Sequence, residues 1–375
     1  MKFVIAPDKY KSSLTGFEFC NAVEEGIRFV FPSAEIIKKP LADGGDGTLE
    51  VIKGYLGAEV IEVEVHDPLF RKINASYLWS DELKTAFIEM SGASGHRLLK
   101  PTELNCMETT TLGTGELIVD AVQRGAKEIL LGIGGSATND GGMGVAKALG
   151  FSFKDSNGNV LLPIGKNLEN VKTIVPPKIS KVNGVQFKIA CDVTNPFYGA
   201  NGAAQVYAAQ KGASNDQIEQ LDKGLQHFAR IIEKTFNINL QQLPGAGAAG
   251  GLGGGAIVFL NGQLFSGIDI VKKLADFESS LINADWIITG EGKLDDQTLA
   301  GKTIAGVLES AKKQKVPVAA FCGVVTLSIP QQIELGITYT NAILKNLQPI
   351  EEAMENSYKN LVFATFNFAK TIKGN

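Results

Sequence analysis

The stretch PGAGAAGGLGGGA, residues 244–256, holds seven glycines in thirteen positions and carries no charge. Glycine inside a helix or strand is destabilising by roughly 0.5–1 kcal/mol relative to alanine, so this concentration requires a reason. The run continues into AIVFL, residues 256–260, an apolar segment that must be buried. We therefore predict a tightly packed loop whose bare backbone amides bind phosphate. The alternative is that the glycines serve close helix packing alone.

A second glycine-rich stretch, IGGSATNDGGMG at residues 133–144, lies between a predicted strand and a predicted helix. Backbone N–H groups at a helix start attract anions, and glycine permits close approach. Ser136, Thr138 and Asn139 add hydroxyl and amide groups. These features predict a phosphate or carboxylate site, with a strand–turn–helix corner that needs positive φ as the alternative. The Walker pattern G-x-x-x-x-G-K-[ST] does not occur in it.

Five predicted strands end in glycine combined with short polar or acidic residues. Ligands of parallel α/β sheets bind at the carboxyl ends of the strands, so we predict that these segments form one polar cleft. The segments are APDKYKSS (residues 6–13), LADGGDGT (41–48), LGIGGSATNDGGMG (131–144), ACDVTNP (190–196) and ITGEGKLDDQT (288–298).

Carboxylates are the candidates for proton transfer and metal binding, because the chain has only three histidines. Asp192 directly follows a predicted buried strand, which favours a partly desolvated general base or, alternatively, an Asx-turn residue. Glu291 and Asp295 follow another strand, and Asp43 and Asp46 are further candidates. Such oxygen ligands suit Mg²⁺, which usually takes one or two carboxylates plus phosphate oxygens. For each acid alone, a turn or a helix cap is the competing interpretation.

Lysines lie close to the same segments. Lys9 and Lys11 follow the first strand, Lys211 lies in AAQKGA, and Lys302 begins a predicted helix. Phosphoryl transfer depends on positioning and on charge neutralisation, so lysines beside glycine-rich loops are the expected pairing. A single lysine taken alone is more often solvated surface.

Composition excludes several functional classes. A net charge of -4 without basic runs argues against a nucleic-acid partner. No apolar run approaches the roughly 20 residues that span a bilayer, so we expect no membrane partner. The four cysteines are scattered, which favours reduced thiols and a cytoplasmic location. A monomer and a homodimer are both compatible with the sequence.

Strands alternate with helices at both ends of the chain, and this rhythm predicts an α/β fold with parallel sheets. We expect a Rossmann-like domain formed by residues 1–60 and 285–375. A second α/β domain, residues 61–284, is inserted into it, and the active site lies in the interdomain cleft. Residues 15–31, 215–236 and 351–372 are predicted helices, and residues 74–79 and 84–90 a hairpin.

Nine motifs together resemble the bacterial glycerate kinases of the first type. They occur in order between residues 6 and 302, with Asp46 standing where glutamate is more usual. They are APDKYKSSL, ADGGDGT, TTLGTGELI, IGGSATNDGG, ACDVTNP, QKGA, PGAGAAGGLG, ITGEGKLDDQT and GK.

The resemblance implies ATP-dependent phosphorylation of D-glycerate to 2-phosphoglycerate with Mg²⁺. The alternatives are a kinase for another small hydroxy acid, the 3-phosphate as product, or a sensor that binds without turnover. With this reaction in view, we assign the candidate residues to roles. The catalytic candidates are Asp192 and Lys11; the substrate-binding candidates are Asp8, Ser13, Asp43, Gly44, Gly45 and Asn195; the nucleotide- or phosphate-binding candidates are Gly134, Gly135, Ser136, Thr138, Asn139, Gly245, Gly247, Gly250, Gly251 and Lys302; the metal ligands are Glu291 and Asp295.

Overall fold

The structure is a computed structural model, and it describes residues 1–10, 13–42, 48–295, 303–344 and 349–374. The chain divides into two compact units. The first consists of Met1–Tyr55 and Gly267–Asn375, and the second of Leu56–Ser266. Six candidate residues of the sequence analysis lie outside the described residues, namely Lys11, Asp43, Gly44, Gly45, Asp46 and Lys302.

The strands of the described ranges are mostly short, and the two longest, Glu59–His66 and Lys72–Ser80, lie in the second unit. They are β1 (Lys2–Ile5), β2 (Glu35–Lys38), β3 (Glu59–His66), β4 (Lys72–Ser80), β5 (Thr85–Glu89), β6 (Glu128–Gly132), β7 (Ser152–Lys154), β8 (Thr173–Val175), β9 (Gln186–Ala190), β10 (Gln263–Phe265), β11 (Trp286–Thr289), β12 (Lys293–Leu294), β13 (Val318–Cys322), β14 (Val324–Val325) and β15 (Tyr339–Ala342).

The helices of the described ranges alternate with these strands in both units. They are α1 (Gly16–Arg28), α2 (Thr48–Leu56), α3 (Ser91–Ser94), α4 (Leu112–Gln123), α5 (Met143–Ala148), α6 (Ala203–Tyr207), α7 (Asn215–Phe236), α8 (Ala248–Leu260), α9 (Gly267–Leu274), α10 (Phe277–Ser280), α11 (Thr303–Gln314), α12 (Ile329–Leu335), α13 (Ile350–Glu355) and α14 (Ser357–Lys373).

The first unit contains a parallel sheet with the strand order β15-β13-β11-β1-β2. Counted among the strands of this sheet alone, the order is 2-1-3-4-5, which is the flavodoxin-like variant of the doubly wound sheet and not the Rossmann order 3-2-1-4-5. The order reverses between β1 and β11, where Phe3 lies opposite Trp286. Ligands of doubly wound sheets bind outside the carboxyl ends of the strands at this switch point.

Local sequence signals explain how the first unit begins. Thr15 caps α1: its hydroxyl accepts from the Glu18 N–H at 3.1 Å, and the Glu18 carboxylate accepts from the Thr15 N–H at 2.8 Å. This capping box confirms the predicted helix start. The core of the unit is built around the fully buried aromatic side chains Phe19, Phe321 and Phe368.

The second unit contains a six-stranded sheet with the order β10-β9-β6-β5-β4-β3. The pairs from β10 to β5 are parallel, and β4 and β3 complete the sheet as antiparallel strands. The predicted hairpin is therefore confirmed as β4 and β5, and the predicted helix at residues 215–236 as α7. The predicted α/β fold with parallel sheets is confirmed as well.

Two predictions about helices are wrong. The glycine run is not a loop throughout, because its residues from Leu252 onwards belong to the regular part of α8, after left-handed backbone at Ala249, Gly250 and Gly251. Burial explains this, since tertiary packing overrides the poor helix propensity of glycine. The closing helix is divided at Asn356 into α13 and α14. No helix within the described ranges is long and apolar enough to cross a membrane.

Candidate functional site

The carboxyl ends of four strands of the second unit lie side by side. The ladder pairs Glu89 of β5 with Gly132 of β6, Gly132 with Ala190 of β9, and Ala190 with Phe265 of β10. Two of the predicted segments, residues 133–144 and 190–196, therefore leave the sheet at the same edge. Donors in the first segment and the carboxylate in the second follow neighbouring strands.

The loop after β6 is held by hydrogen bonds to three other segments. The Ala137 N–H donates to the Ser94 carbonyl at 2.9 Å, and the His96 N–H donates to the Gly135 carbonyl at 3.0 Å. The Thr109 hydroxyl donates to the Ala137 carbonyl at 2.9 Å. These bonds fix the direction of the loop and commit part of its backbone to protein partners.

Asp140, within this loop, is a buried carboxylate with four donors. The Thr111 N–H and hydroxyl donate to it at 2.8 and 2.9 Å, and the Gly142 and Gly144 N–H groups donate at 3.0 and 3.1 Å. Burial raises the pKa of Asp140, while these hydrogen bonds oppose the rise. Asp140 therefore joins the start of α4 to the start of α5 and organises the loop from inside.

Lys211 is a functional candidate to which the sequence assigned no role. It is 4% exposed, and its Nζ donates to Ser136 Oγ at 2.7 Å and to the Thr138 carbonyl at 2.8 Å. Burial lowers the pKa of Lys211 to about 8. The QKGA motif drew attention to Lys211 in the sequence. Its hydrogen-bond partners Ser136 and Thr138 could not be predicted, because they are more than seventy positions away along the chain.

The same loop contains polar side chains without partners. Thr138 Oγ1 and both amide atoms of Asn139 are buried and have no hydrogen-bond partner within the part of the chain that the structure describes. Native proteins rarely leave such atoms unpaired, because desolvation costs about 1–3 kcal/mol each. These predicted binding residues therefore have unused capacity for a ligand or a water molecule.

Asp192 is exposed, which differs from the expected partial desolvation. The reason is that β9 ends at Ala190, two residues earlier, so the carboxylate has already left the sheet. Asn195 is anchored more firmly: its Nδ2 donates to the Asn201 carbonyl at 2.8 Å, and the Tyr207 hydroxyl donates to its Oδ1 at 2.7 Å. Asp192 is thus accessible to a ligand beside a braced turn.

The glycine run packs against both of these loops. The Gly247 N–H donates to the Asn195 carbonyl at 3.0 Å, and the Gly250 carbonyl accepts from the Gly141 N–H at 3.0 Å. A Cβ on Gly247 would lie 2.1 Å from the Pro196 carbonyl oxygen, and one on Gly250 only 2.0 Å from that of Thr138. The run thus joins the loop after β6 to the loop after β9 through direct backbone contact.

In the first unit, Asp8 lies at the switch point. Its N–H donates to the Gly290 carbonyl at 2.9 Å, directly after β11. Its Oδ2 accepts from the Thr303 hydroxyl at 2.5 Å. The Ser13 hydroxyl instead donates to the Met354 carbonyl at 2.9 Å. Asp8 therefore joins the ends of β1 and β11 to the start of α11, in the position where doubly wound sheets bind ligands.

Glu291 follows β11 at the same switch point. Burial raises the pKa of Tyr10, and Cys322 and the negative charge of Glu291 add to this rise. Burial also raises the pKa of Cys322 to about 12, while a hydrogen bond with the Glu291 backbone opposes that rise. Asp295 forms an ion pair with Lys293 at 2.9 Å. The described ranges contain no group of three or more His, Cys, Asp or Glu side chains able to hold a metal by themselves.

These features define a class of protein: an α/β fold with parallel sheets, in which ligands usually bind at the carboxyl ends of the strands. Comparison with known proteins gives the particular family. The chain belongs to the glycerate kinase family, whose model matches residues 3–373. It is therefore an enzyme of the kinase class.

Several relatives match almost the whole chain. A "Glycerate 2-kinase" of Escherichia coli is 41% identical over 99% of this chain and 98% of its own. A "Glycerate kinase" of Halalkalibacterium halodurans is 42% identical over 98% of this chain and 97% of its own. The crystal structure of a "putative glycerate kinase 2" from Salmonella typhimurium superimposes with a TM-score of 0.89 at 39% identity, covering 100% of this chain and 98% of that one.

Proposed function

We propose that this enzyme transfers a phosphoryl group from ATP to the C2 hydroxyl of D-glycerate and produces 2-phosphoglycerate. The relative named "Glycerate 2-kinase", which matches 98% of its own length, supports this product. The observation that carries the proposal is the alignment of Gly132 and Ala190, because it puts anion donors and an accessible carboxylate at one edge. A small hydroxy acid needs both of these groups. The cytoplasmic location, the oligomeric state and the interdomain cleft remain predictions from the sequence.

In this mechanism Asp192 accepts the proton of the substrate hydroxyl. Its carboxylate can orient the hydroxyl and accept its proton as the new O–P bond forms. Asn195 stabilises the turn after Asp192 through its hydrogen bonds to Asn201 and Tyr207. Lys11, outside the described residues, remains the candidate for neutralising charge on the transferring group.

The residues of the first unit fit a magnesium ion that is bound mostly by nucleotide phosphates. Mg²⁺ usually takes only one or two protein carboxylates, so the lack of a larger acidic cluster in the described ranges is compatible with it. Glu291 and Asp295 would hold the ion, with Asp8 close to the same strand ends. When bound, Mg²⁺ supplies positive charge to the phosphate oxygens.

The reaction is tested directly by phosphorus NMR. We expect the purified enzyme with D-glycerate, ATP and Mg²⁺ to form ADP and the 2-phosphate. Accumulation of the 3-phosphate would make the proposed acceptor hydroxyl wrong. ATP consumption with a different hydroxy acid only, or tight binding without ADP release, would replace the proposed function with one of its alternatives.

Removing either acid of the first unit should increase the magnesium requirement. We expect Glu291→Gln and Asp295→Asn to raise the Mg²⁺ concentration for half-maximal activity by about tenfold, because a carboxylate ligand contributes electrostatically where a neutral amide does not. The measurement is initial rate against Mg²⁺ at fixed ATP. Glu309→Gln is the control, because this exposed side chain of α11 forms an ion pair with Lys313 across one helical turn. An unchanged requirement in both acidic variants would remove them from the metal site.

A further inference from the structure

Lys211 and Ser136 form a buried pair with a fixed direction of hydrogen bonding. A lysine ammonium has three donors and no acceptor, so Ser136 Oγ must accept from Lys211 Nζ. The Ser136 hydroxyl keeps its own proton to donate. Within the described part of the chain, no bond is formed by that proton. Ser136 is 9% exposed, whereas Lys211 is 4% exposed, so the hydroxyl is the outer member of the pair.

Several groups around the pair are engaged, although Thr138 Oγ1 and the Asn139 amide have no partner in the part of the chain that the structure describes. A second Lys211 proton goes to the Thr138 carbonyl at 2.8 Å. The N–H groups of Ala137, Gly141 and Gly142 donate to protein acceptors, at 2.9, 3.0 and 3.0 Å. The N–H groups of Ala137, Gly141 and Gly142 are therefore not available to a polyphosphate. This part of the loop offers a side-chain hydroxyl that a cation directs outward.

We propose that Ser136 donates a hydrogen bond to the carboxylate of the hydroxy-acid substrate, and that Lys211 is the positioning residue that orients this hydroxyl and balances the charge. The inference rests on the proposed function and assigns the carboxylate, not the nucleotide phosphates, to the loop after β6. Ser136 is the binding group, and Lys211 acts through it.

Charge and the order of the strands both favour the carboxylate. One buried ammonium balances one carboxylate charge, whereas a nucleoside triphosphate brings several negative charges and its own metal. Ser136 follows β6 and Asp192 follows the neighbouring strand β9. The two side chains therefore follow adjacent strands at one edge of the sheet, where a small acid could contact both with its carboxylate and its reacting hydroxyl.

The pair also makes binding depend on pH. Below about pH 8 Lys211 is protonated, so Ser136 donates outward; above it, the neutral amine becomes an acceptor and the Ser136 proton can turn inward. Affinity for the carboxylate is thus present at low pH and is lost as the pH rises. Cys106 and Asp140 interact with the Lys211 charge, and burial raises the pKa of Cys106 to about 11. His96, the other titratable group at this loop, contacts the Gly135 carbonyl through Nδ1 at 3.0 Å.

The test compares Ser136→Ala, Lys211→Met and the double variant with the wild type. We expect each to raise the KM for D-glycerate by about 10- to 100-fold, the loss for one hydrogen bond to a charged group, while the KM for ATP stays within about twofold. The double variant should be no worse than the stronger single variant, because the two side chains act as one unit. Lys223→Met is the matched control, since Lys223 is an exposed lysine on α7.

Two further measurements would not change if Lys211 had only a structural role: the pH dependence of the KM for D-glycerate and the affinity for a neutral ligand. From pH 7 to 9.5 the wild-type KM for D-glycerate should rise about 30-fold, and in Lys211→Met this dependence should disappear. Calorimetry should show that D-glyceramide, the uncharged amide, binds wild type and Lys211→Met equally. If Lys211→Met does not fold, the inference is tested by the KM of Ser136→Ala for D-glycerate and by the pH dependence of the wild-type KM.

The outcomes separate this inference from the proposed function. Wild type that neither binds nor phosphorylates D-glycerate contradicts the proposed function. Wild type that phosphorylates it, with an unchanged KM in Ser136→Ala, overturns the inference alone. A rise in the KM for ATP instead would assign the pair to the nucleotide, which also overturns it. A lower Tm and kcat with unchanged KM values would show a purely structural role.

Discussion

Asp192→Asn is expected to lower kcat for D-glycerate phosphorylation by about 10²–10⁴-fold, the usual contribution of a general base. Asparagine preserves the shape of the side chain and can still hydrogen-bond a hydroxyl, but its neutral amide cannot accept the proton. Because the side chain is exposed and β9 ends two residues earlier, the substitution should leave folding intact. The KM for D-glycerate should change far less than kcat.

The measurement is steady-state kinetics with Tm as a folding check. Asp81→Asn is the control, since this acid is 77% exposed in the turn before β5, at the amino end of that strand, and pairs with Lys84. It removes the same charge from the same unit without touching the carboxyl edge. A near-normal kcat with unchanged KM in Asp192→Asn would leave Asp192 as a turn residue and require another base.

Local signals in the sequence were sufficient for much of the fold. The capping box of Thr15 and Glu18 gave the start of α1, and the helix predicted at residues 215–236 is α7. The formation of such helices depends on residues that lie close together in the sequence, so it can be predicted from the sequence alone. The strand order of the first sheet was different, because it depends on pairing between β1 and β11, nearly 300 positions apart.

In the candidate site, too, local features could be predicted from the sequence and long-range contacts could not. Glycines and acids after strands predicted which segments gather at the strand ends of the second unit. The partner of Lys211 could not be predicted, because the Ser136 contact joins residues 75 positions apart. The exposure of Asp192 depended on where β9 ends, and strand ends are the least certain feature of any sequence interpretation.

The glycine run shows how one pattern supports two physical explanations. Bare amides beside a ligand and close backbone packing both require missing side chains. In the structure the Gly247 N–H and the Gly250 carbonyl are bonded to neighbouring loops. These two groups are thus engaged in packing, which gives the packing explanation a measurable consequence.

Gly250→Ala is expected to destabilise the second unit by roughly 2–5 kcal/mol. Two costs add: the left-handed backbone, with φ of +68°, costs an L-residue about 1–2 kcal/mol, and overpacking typically costs about 1–3 kcal/mol. The added Cβ would lie 2.0 Å from the Thr138 carbonyl and 2.6 Å from the Asn139 Cα, both backbone atoms that cannot rotate away. Thermal unfolding should show Tm lower by roughly 5–15 °C.

Gly57→Ala separates the two costs. Gly57 has φ of +56° and nothing within 4 Å of an added Cβ, so its substitution carries the backbone cost alone, about 1 kcal/mol. ATP affinity, measured below the Tm of each variant, completes the comparison. If Gly250→Ala keeps the Tm of wild type and loses ATP binding, these glycines cradle phosphate as the sequence predicts. If it melts early and the folded fraction still binds ATP, Gly250 is there because the loops after β6 and β9 leave no room for a side chain.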